Sequence, residues 1–308
     1  MRPVDDLITW HRDVEFDERP VLLHAFSGFV DAGNGVRIAA DHILATLDHK
    51  LVATFDSDEL IDYRARRPRM SFVVDHFASV ELDQIDVHEV TDTAGQRFLL
   101  VAGPEPDYQW LRFIGAVKHV VDRFDVRLAV GLSAIPWPTP HTRPIGVTVH
   151  GSQPDLVTGP VAPIGEVEVP GHVGAMLELQ LGQSGVPSMG VTAQVPHYLV
   201  QFAYPRSAST LLAGVAAATG LSLPGDELEP AAHQADLDIA AQVAGNAEFA
   251  TVVSALEQQY DQQIAAPGYA IAGGLAGQSL PSADELAAQV EQFLSELPDS
   301  GDPQEPHA

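Results

Sequence analysis

The sequence predicts an α/β fold with a mostly parallel sheet, followed by an all-helical appendage at the C-terminal end. Along residues 1–205, short apolar runs alternate with amphipathic segments, which is typical of strands and helices that alternate in an α/β domain. The pattern changes at residues 223–230, where prolines, a glycine and several acids predict a linker, and only helical periodicity follows. Hydrophobic residues make up 45% of the 308 residues, which favours a globular chain with a substantial core over a disordered one.

Each element is predicted from its local pattern, in chain order. Strands are expected in the runs 21–26, 51–55, 71–74, 85–90, 97–101, 128–132, 147–149 and 188–193. The runs 71–74 and 85–90 are expected to form an antiparallel region. Helices are expected where apolar residues recur every three or four positions, in the segments 36–47, 110–124, 173–181, 211–219, 237–244, 249–264 and 286–297. Asp31 is expected to cap the first helix.

Three parts follow from this pattern. Residues 1–222 form the α/β domain, residues 223–297 form the helical subdomain, and residues 298–308 form a polar, disordered tail. Ser282 and Glu285 have the spacing of a capping box at the start of the last helix.

The charge of the chain excludes several kinds of partner. Sixteen Lys and Arg residues stand against 42 Asp and Glu, a net charge of −26, which repels nucleic acid and anionic membranes. Because the chain has no cysteine, disulfides, thiolate metal sites and a cysteine nucleophile are excluded. No run approaches the ~20 apolar residues of a membrane helix, and the N-terminus lacks an apolar signal segment. A cytoplasmic protein is expected.

Four loops that follow predicted strands carry the candidate site residues. They span 27–33, 103–107, 133–138 and 194–198, and the candidates within them are Ser27, Gly28, Asp31, Gly33, Glu105 and His197. Loops after parallel strands gather at one edge of a sheet, so a small-molecule crevice is one interpretation. The other is structural, because Gly and Pro form tight turns and acids cap helices.

The sequence contains no complete set of catalytic residues. Ser27, Asp31 and His197 could be named as a triad, but the chain contains no Gly-x-Ser-x-Gly elbow. It also lacks a His-Glu-x-x-His motif and a Walker loop, and Gly33-Asn34-Gly35 is only a fragment of a dinucleotide fingerprint. We therefore expect no catalytic residue, no metal and no cofactor.

The basic residues cluster unusually. Arg64, Arg66, Arg67 and Arg69 lie within six positions of this acidic chain. They could pair with acids in the chain or in a neighbouring subunit, clamp a carboxylate or phosphate, or form a solvated loop. Further along, the prolines of 138–144 hold an extended loop that presents His141 and Arg143.

Five short motifs occur together in order, at 26–33, 62–68, 103–106, 140–144 and 196–198. Together they resemble the PAC2 (proteasome assembly chaperone 2) family in its actinobacterial form. The resemblance implies a three-layer α/β/α sandwich like that of the nucleoside phosphorylases, and a homo-oligomer, with a trimer as the expected size. It also implies a role in assembling proteasomes or other complexes, with proteasome subunits as partners. The alternative is a small-ligand-binding protein or enzyme that takes a nucleoside or an anion in the crevice.

Overall fold

The computed structural model describes residues 4–157 and 167–265. Its strands are β1 (Ile8–Trp10), β2 (Val21–Ser27), β3 (Asp48–Phe55), β4 (Arg69–Val73), β5 (His76–Glu81), β6 (Asp86–Thr91), β7 (Arg97–Pro104), β8 (Leu128–Trp137), β9 (Val147–Gly151) and β10 (Ser188–Pro196). Its helices are α1 (Gly35–Thr46), α2 (Ser57–Leu60), α3 (Trp110–Arg123), α4 (Val173–Gln183), α5 (Pro205–Thr219), α6 (Glu229–Gly245) and α7 (Ala247–Ala265). The predicted helix at 286–297, its capping pair and the predicted tail lie outside the described residues.

Eight strands form one sheet in the order β1-β3-β6-β7-β2-β8-β10-β9. The four central strands β7, β2, β8 and β10 run parallel to one another. Both flanks are antiparallel, with β1, β3 and β6 on one side and β9 on the other. The carboxyl ends of the parallel strands therefore meet at one edge, as the sequence predicts.

Helices cover both faces of the central strands, which confirms the predicted three-layer α/β/α sandwich. Along β2, Leu23 and Ala25 pack in the core beneath α1 and α5, whereas Leu22 and Phe26 pack in the core beneath α3 and α4. Since successive strand residues point to opposite faces, a strand buried on both sides needs an unbroken apolar run. The run at 21–26 has that pattern.

Two parts of the fold differ from the sequence-based prediction. The segment 223–230, predicted as a linker, forms a tight 3-10 turn at Gly225–Leu228 and the start of α6. Leu228 is buried against the α1/α5 core, which fixes this segment to the sheet domain. The antiparallel region is also divided, because β6 joins the main sheet while β4 pairs with β5 in a separate two-stranded hairpin. The strands β1 and β5 were not predicted.

Within the described residues, no single helix is long and apolar enough to cross a membrane. The helical segments Gly225–Gly245 and Ala247–Ile264 reach that length and apolar composition only when taken together, and they are bent by 119° at their junction.

Candidate functional site

A cleft of about 890 Å³ opens at the carboxyl ends of β2 and β7, and we call it the strand-end cleft. Four of the residues predicted from the loops line it, namely Ser27, Gly28, Asp31 and Glu105. Arg66 of the basic cluster lines it too. Other charged or titratable residues in the lining were not predicted, including Arg37 and Asp41 on α1 and Asp86 and His88 on β6. Their positions depend on how α1 and β6 pack, and no local sequence motif encodes that packing.

Asp31 has a structural task at this cleft. Its Oδ1 atom accepts a hydrogen bond from the backbone N–H of Val36 at 2.7 Å, so it caps α1 as predicted. The residue is only 9% exposed. Burial raises the pKa of the Asp31 carboxyl to about 6, since the charged form loses its water.

Glu105 binds the start of α4. Its Oε1 atom accepts a hydrogen bond from the backbone N–H of Val173 at 2.8 Å, where the helix dipole favours a negative charge. The second carboxylate oxygen, Oε2, lies beside Gly28, and a Cβ atom added to that glycine would stand 3.3 Å from it. Glu105 is 9% exposed, so its carboxylate is held in place between α4 and the cleft.

Gly33 shapes the turn between β2 and α1. Its backbone has φ +67°, the left-handed region that glycine adopts without strain. A Cβ atom here would come within 3.0 Å of Tyr204. The backbone amide of Gly33 donates to Val200 and its carbonyl accepts from Tyr204, which fixes the turn against the segment after β10.

The basic cluster divides into one paired arginine and three exposed ones. Arg66 reaches across to the loop after β7, where it donates to the Glu105 carbonyl and to Asp107 Oδ1, both at 2.6 Å. Arg64, Arg67 and Arg69 are exposed. In the described part of the chain, none of these three guanidinium groups forms an ion pair. Arg69 is the first residue of β4, and Arg64 and Arg67 precede it in the chain.

The β4–β5 hairpin is exposed along both strands. Its large apolar side chains are 48–92% exposed, and they are Met70, Phe72, Val73, Val74, Phe77 and Val80. The rings of Phe72 and Phe77 contact each other edge to face, with centroids 5.1 Å apart. A two-stranded hairpin with both faces in water is marginally stable, and exposed apolar clusters mark binding surfaces.

His141 belongs to a buried contact beneath α7 and does not face open solvent. The Tyr198 hydroxyl accepts a hydrogen bond from the His141 backbone N–H at 2.7 Å and lies 2.8 Å from its Nδ1 atom. Burial lowers the pKa of His141, and a neutral ring can accept the Tyr198 proton. On its other side the Tyr198 ring meets Phe249 of α7, with centroids 5.1 Å apart.

Arg143 clamps α7 to the loop after β8. Its Nε and Nη2 atoms donate to the two carboxylate oxygens of Asp261, each at 2.8 Å, and Nη1 lies 3.5 Å from Glu257. The Tyr260 hydroxyl donates to the Pro144 carbonyl at 2.9 Å. On α5, Arg206 makes the corresponding contact with α6 through Asp236. The two helices after residue 228 are therefore held to the α/β domain by charge-assisted contacts.

Ser27, Asp31 and His197 do not form a catalytic triad. His197 is half-buried and hydrogen-bonds the backbone of Trp137, and burial lowers its pKa. Over residues 4–157 and 167–265, neither Ser27 nor Asp31 hydrogen-bonds it. No group of three or more His, Asp or Glu side chains within those ranges could hold a metal ion.

The chain matches one protein family and several solved structures. The family model described as the PAC2 family matches residues 25–243. Among solved structures, a Mycobacterium tuberculosis protein of unknown function is 43% identical, with 84% of this chain and 90% of that chain covered and a TM-score of 0.80. A Corynebacterium glutamicum protein of unknown function is 36% identical, with 84% and 98% covered and a TM-score of 0.80.

A third solved structure carries a functional description. It is a proteasome-assembly chaperone homologue from Mycobacterium tuberculosis, 24% identical, with 76% of this chain and 99% of that chain covered and a TM-score of 0.68. At this identity the likeness shows the fold. The search of curated proteins finds no match.

Proposed function

The chain belongs to the PAC2 family, and we propose that it acts without catalysis, by binding proteins during the assembly of a larger complex. The β4–β5 hairpin is the observation that carries this proposal. Its apolar side chains project from the sandwich into water, and a protein surface is the environment that would remove them from it.

The first partner is a second copy of this chain. Arg69 begins the hairpin, and Arg64 and Arg67 precede it in the chain. Among the described residues these three exposed arginines form no ion pair. The rest of the molecule is strongly acidic, with a net charge of −26. Another copy therefore offers both an apolar hairpin and acids for these arginines. In a closed homo-oligomer every copy makes the same apolar and charged contacts, and we propose a trimer.

The second partner is a proteasome subunit. Support comes from the family and from the description of the similar Mycobacterium tuberculosis structure as a proteasome-assembly chaperone homologue. We place this activity in the cytoplasm. A non-enzymatic role accords with the separate tasks of Asp31, Glu105 and His197, each of which bonds a backbone group.

Affinity capture from native lysate tests the assembly role. We expect proteasome subunits to be enriched with the wild-type chain and reduced at least tenfold with a Phe72→Ser/Phe77→Ser variant, since that change removes the apolar centre of the hairpin. A Leu111→Ser/Leu179→Ser variant is the matched control, because these leucines on α3 and α4 are 53% and 60% exposed. Absence of proteasome subunits from the wild-type eluate would overturn the proteasome role.

A further inference from the structure

The turn at the tip of the β4–β5 hairpin has an unusual residue at its centre. Only Val74 and Asp75 connect the two strands, and Val73 and His76 pair across the turn. The backbone of Val74 has φ +56°, in the left-handed region. The Asp75 amide donates to the Val73 carbonyl at 2.7 Å, which closes a γ-turn around Val74. A γ-turn with a positive φ at its centre is the rarer form and is strained.

Valine is poorly suited to this backbone conformation. A positive φ brings the Cβ atom close to the following carbonyl oxygen, and a side chain that branches at Cβ adds to the crowding. Hairpin turns that need a positive φ usually have Gly, Asn or Asp there. Among the described residues, the other non-glycine residues with a positive φ are Asn34, Gln109 and Asp125, all of them polar. The geometry of the turn therefore does not explain why residue 74 is a valine.

Packing within the chain does not explain the valine either. Val74 is 92% exposed, more than any other large apolar residue in the part of the chain that the structure describes. Its side chain therefore gains almost nothing from burial in the free protein. A residue that is both strained and exposed lowers the stability of the protein that carries it, and such residues occur where a function needs them.

A second copy of this chain offers an apolar surface for Val74. The β4–β5 hairpin exposes six large apolar residues, whereas no other helix or strand of the described chain exposes more than two. Charge favours the same partner. The Asp75 side chain beside Val74 is 84% exposed, and the three exposed arginines at and before the start of β4 in another copy carry the opposite charge.

We propose that Val74 is an anchor residue for self-association, and that its side chain packs against the apolar hairpin of a second copy. The strained turn presents this side chain at the tip of the hairpin, beyond the ring pair of Phe72 and Phe77. This inference rests on the proposed self-association and adds to it the residue that sets its affinity. A proteasome subunit is the other molecule that Val74 could contact, so the experiment separates the two partners.

Sedimentation equilibrium of the 308-residue chain and of three variants at position 74 is the test. Val74→Gly and Val74→Asn tolerate a positive φ but lack the apolar side chain, so self-association should weaken about tenfold or more, the effect of burying one valine. Val74→Ile keeps a β-branched apolar side chain and should stay within about twofold of wild type. A residue that served only to form the turn would give the opposite result, because Gly and Asn form such turns more readily than valine.

Val169→Asn is the matched control. Val169 is 73% exposed, lies outside the hairpin and does not have a positive φ, so its replacement should leave self-association unchanged. The far-ultraviolet circular dichroism of every variant should match wild type, because the hairpin lies outside the main sheet.

Several outcomes would overturn the proposal. Wild-type affinity in Val74→Gly and Val74→Asn would do so, as would an equal loss of affinity in Val74→Ile or in the Val169→Asn control. Unchanged self-association with a tenfold loss of captured proteasome subunits would assign Val74 to that partner instead. Each of these results leaves the proposed self-association standing. A wild-type chain that sediments as a single chain would overturn self-association itself, and this inference with it.

Discussion

His24 lies in the middle of β2 with its ring held between two glycines. A Cβ atom on Gly131 would come within 2.5 Å of the ring, and one on Gly174 within 3.7 Å. The side chain is 3% exposed, and its Nε2 atom has no hydrogen-bond partner in the described part of the chain. Burial is the main reason that the pKa of His24 falls to about 3, with the nearby His172 and His150 adding to the effect. The ring is therefore neutral in the folded protein at neutral pH.

We expect wild type to lose more stability on acidification than a His24→Leu variant. As the pH falls below the unfolded pKa of 6.5, the unfolded chain takes up a proton that folded His24 refuses until about pH 3. Stability is thus present above pH 6.5 and is lost between these two values. At pH 5 the loss amounts to about 2 kcal/mol, from ~1.4 kcal/mol per pH unit.

Urea unfolding at pH 7.5 and pH 5 measures this difference. Asp31 acts in the opposite sense, since its folded pKa is raised to about 6 and it stabilises the fold as the pH drops from 6 towards 3.8. Both proteins contain Asp31, so its effect cancels in the comparison. Equal losses in wild type and His24→Leu would contradict the assignment.

The contact between α1 and α5 depends on a glycine at the first position of α1. A Cβ atom on Gly35 would stand 2.5 Å from Ser207 Oγ and 2.9 Å from Ser207 Cβ. The hydroxyl of Ser207 is itself bound to the Tyr204 carbonyl at 2.6 Å, so the serine is held in place. The helices α1 and α5 therefore approach each other so closely that no side chain fits at position 35.

Gly35→Ala should destabilise the protein by ~1–3 kcal/mol, the usual cost of overpacking. Gly171→Ala is the matched control, because nothing lies within 4 Å of a Cβ at that position. Thermal unfolding followed by circular dichroism compares the two. A Gly35→Ala melting temperature equal to that of the control would show that α1 and α5 can move apart freely.

The contact between Arg143 and α7 can be tested by measuring how readily α7 opens locally. Arg143→Met removes the bidentate contact with Asp261, whose two parallel hydrogen bonds are the geometry in which a surface ion pair does contribute to stability. Hydrogen exchange in residues 247–265 should become roughly fivefold faster. Arg19→Met, which breaks an exposed ion pair with Asp125 elsewhere, should leave that segment unchanged. Unaltered exchange in Arg143→Met would mean that Phe249 and its apolar neighbours hold α7 alone.

The burial and the apolar content of a strand decide whether it could be predicted from the sequence. The strands β2, β7 and β8 are buried on both faces, so their apolar runs are unambiguous. Both hairpin strands are exposed, and β4 was found from its apolar run Phe72-Val73-Val74, whereas the β5 sequence HFASVE has no apolar run longer than two residues. In the site, Asp31 and Glu105 follow strands directly, whereas the partner of Arg143 lies 118 residues further along the chain. No local pattern encodes such a contact.

At the scale of the whole molecule, charge and apolar exposure act against each other. A net charge of −26 opposes association between copies, while the exposed apolar side chains of the hairpin favour it. Arg69 in the hairpin, with Arg64 and Arg67 shortly before it in the chain, would reduce repulsion at the proposed point of contact. We infer that association is directed to one surface and that the remainder of the acidic surface resists it.

Light scattering on purified protein at micromolar concentration tests this central claim most directly. We predict that wild type and the Leu111→Ser/Leu179→Ser control have three times the 32.9 kDa chain mass, and that Phe72→Ser/Phe77→Ser has the mass of one chain. The far-ultraviolet circular dichroism of the three proteins should agree, because the hairpin lies outside the main sheet. A wild-type mass of 32.9 kDa, or a hairpin variant with the wild-type mass, would contradict the account.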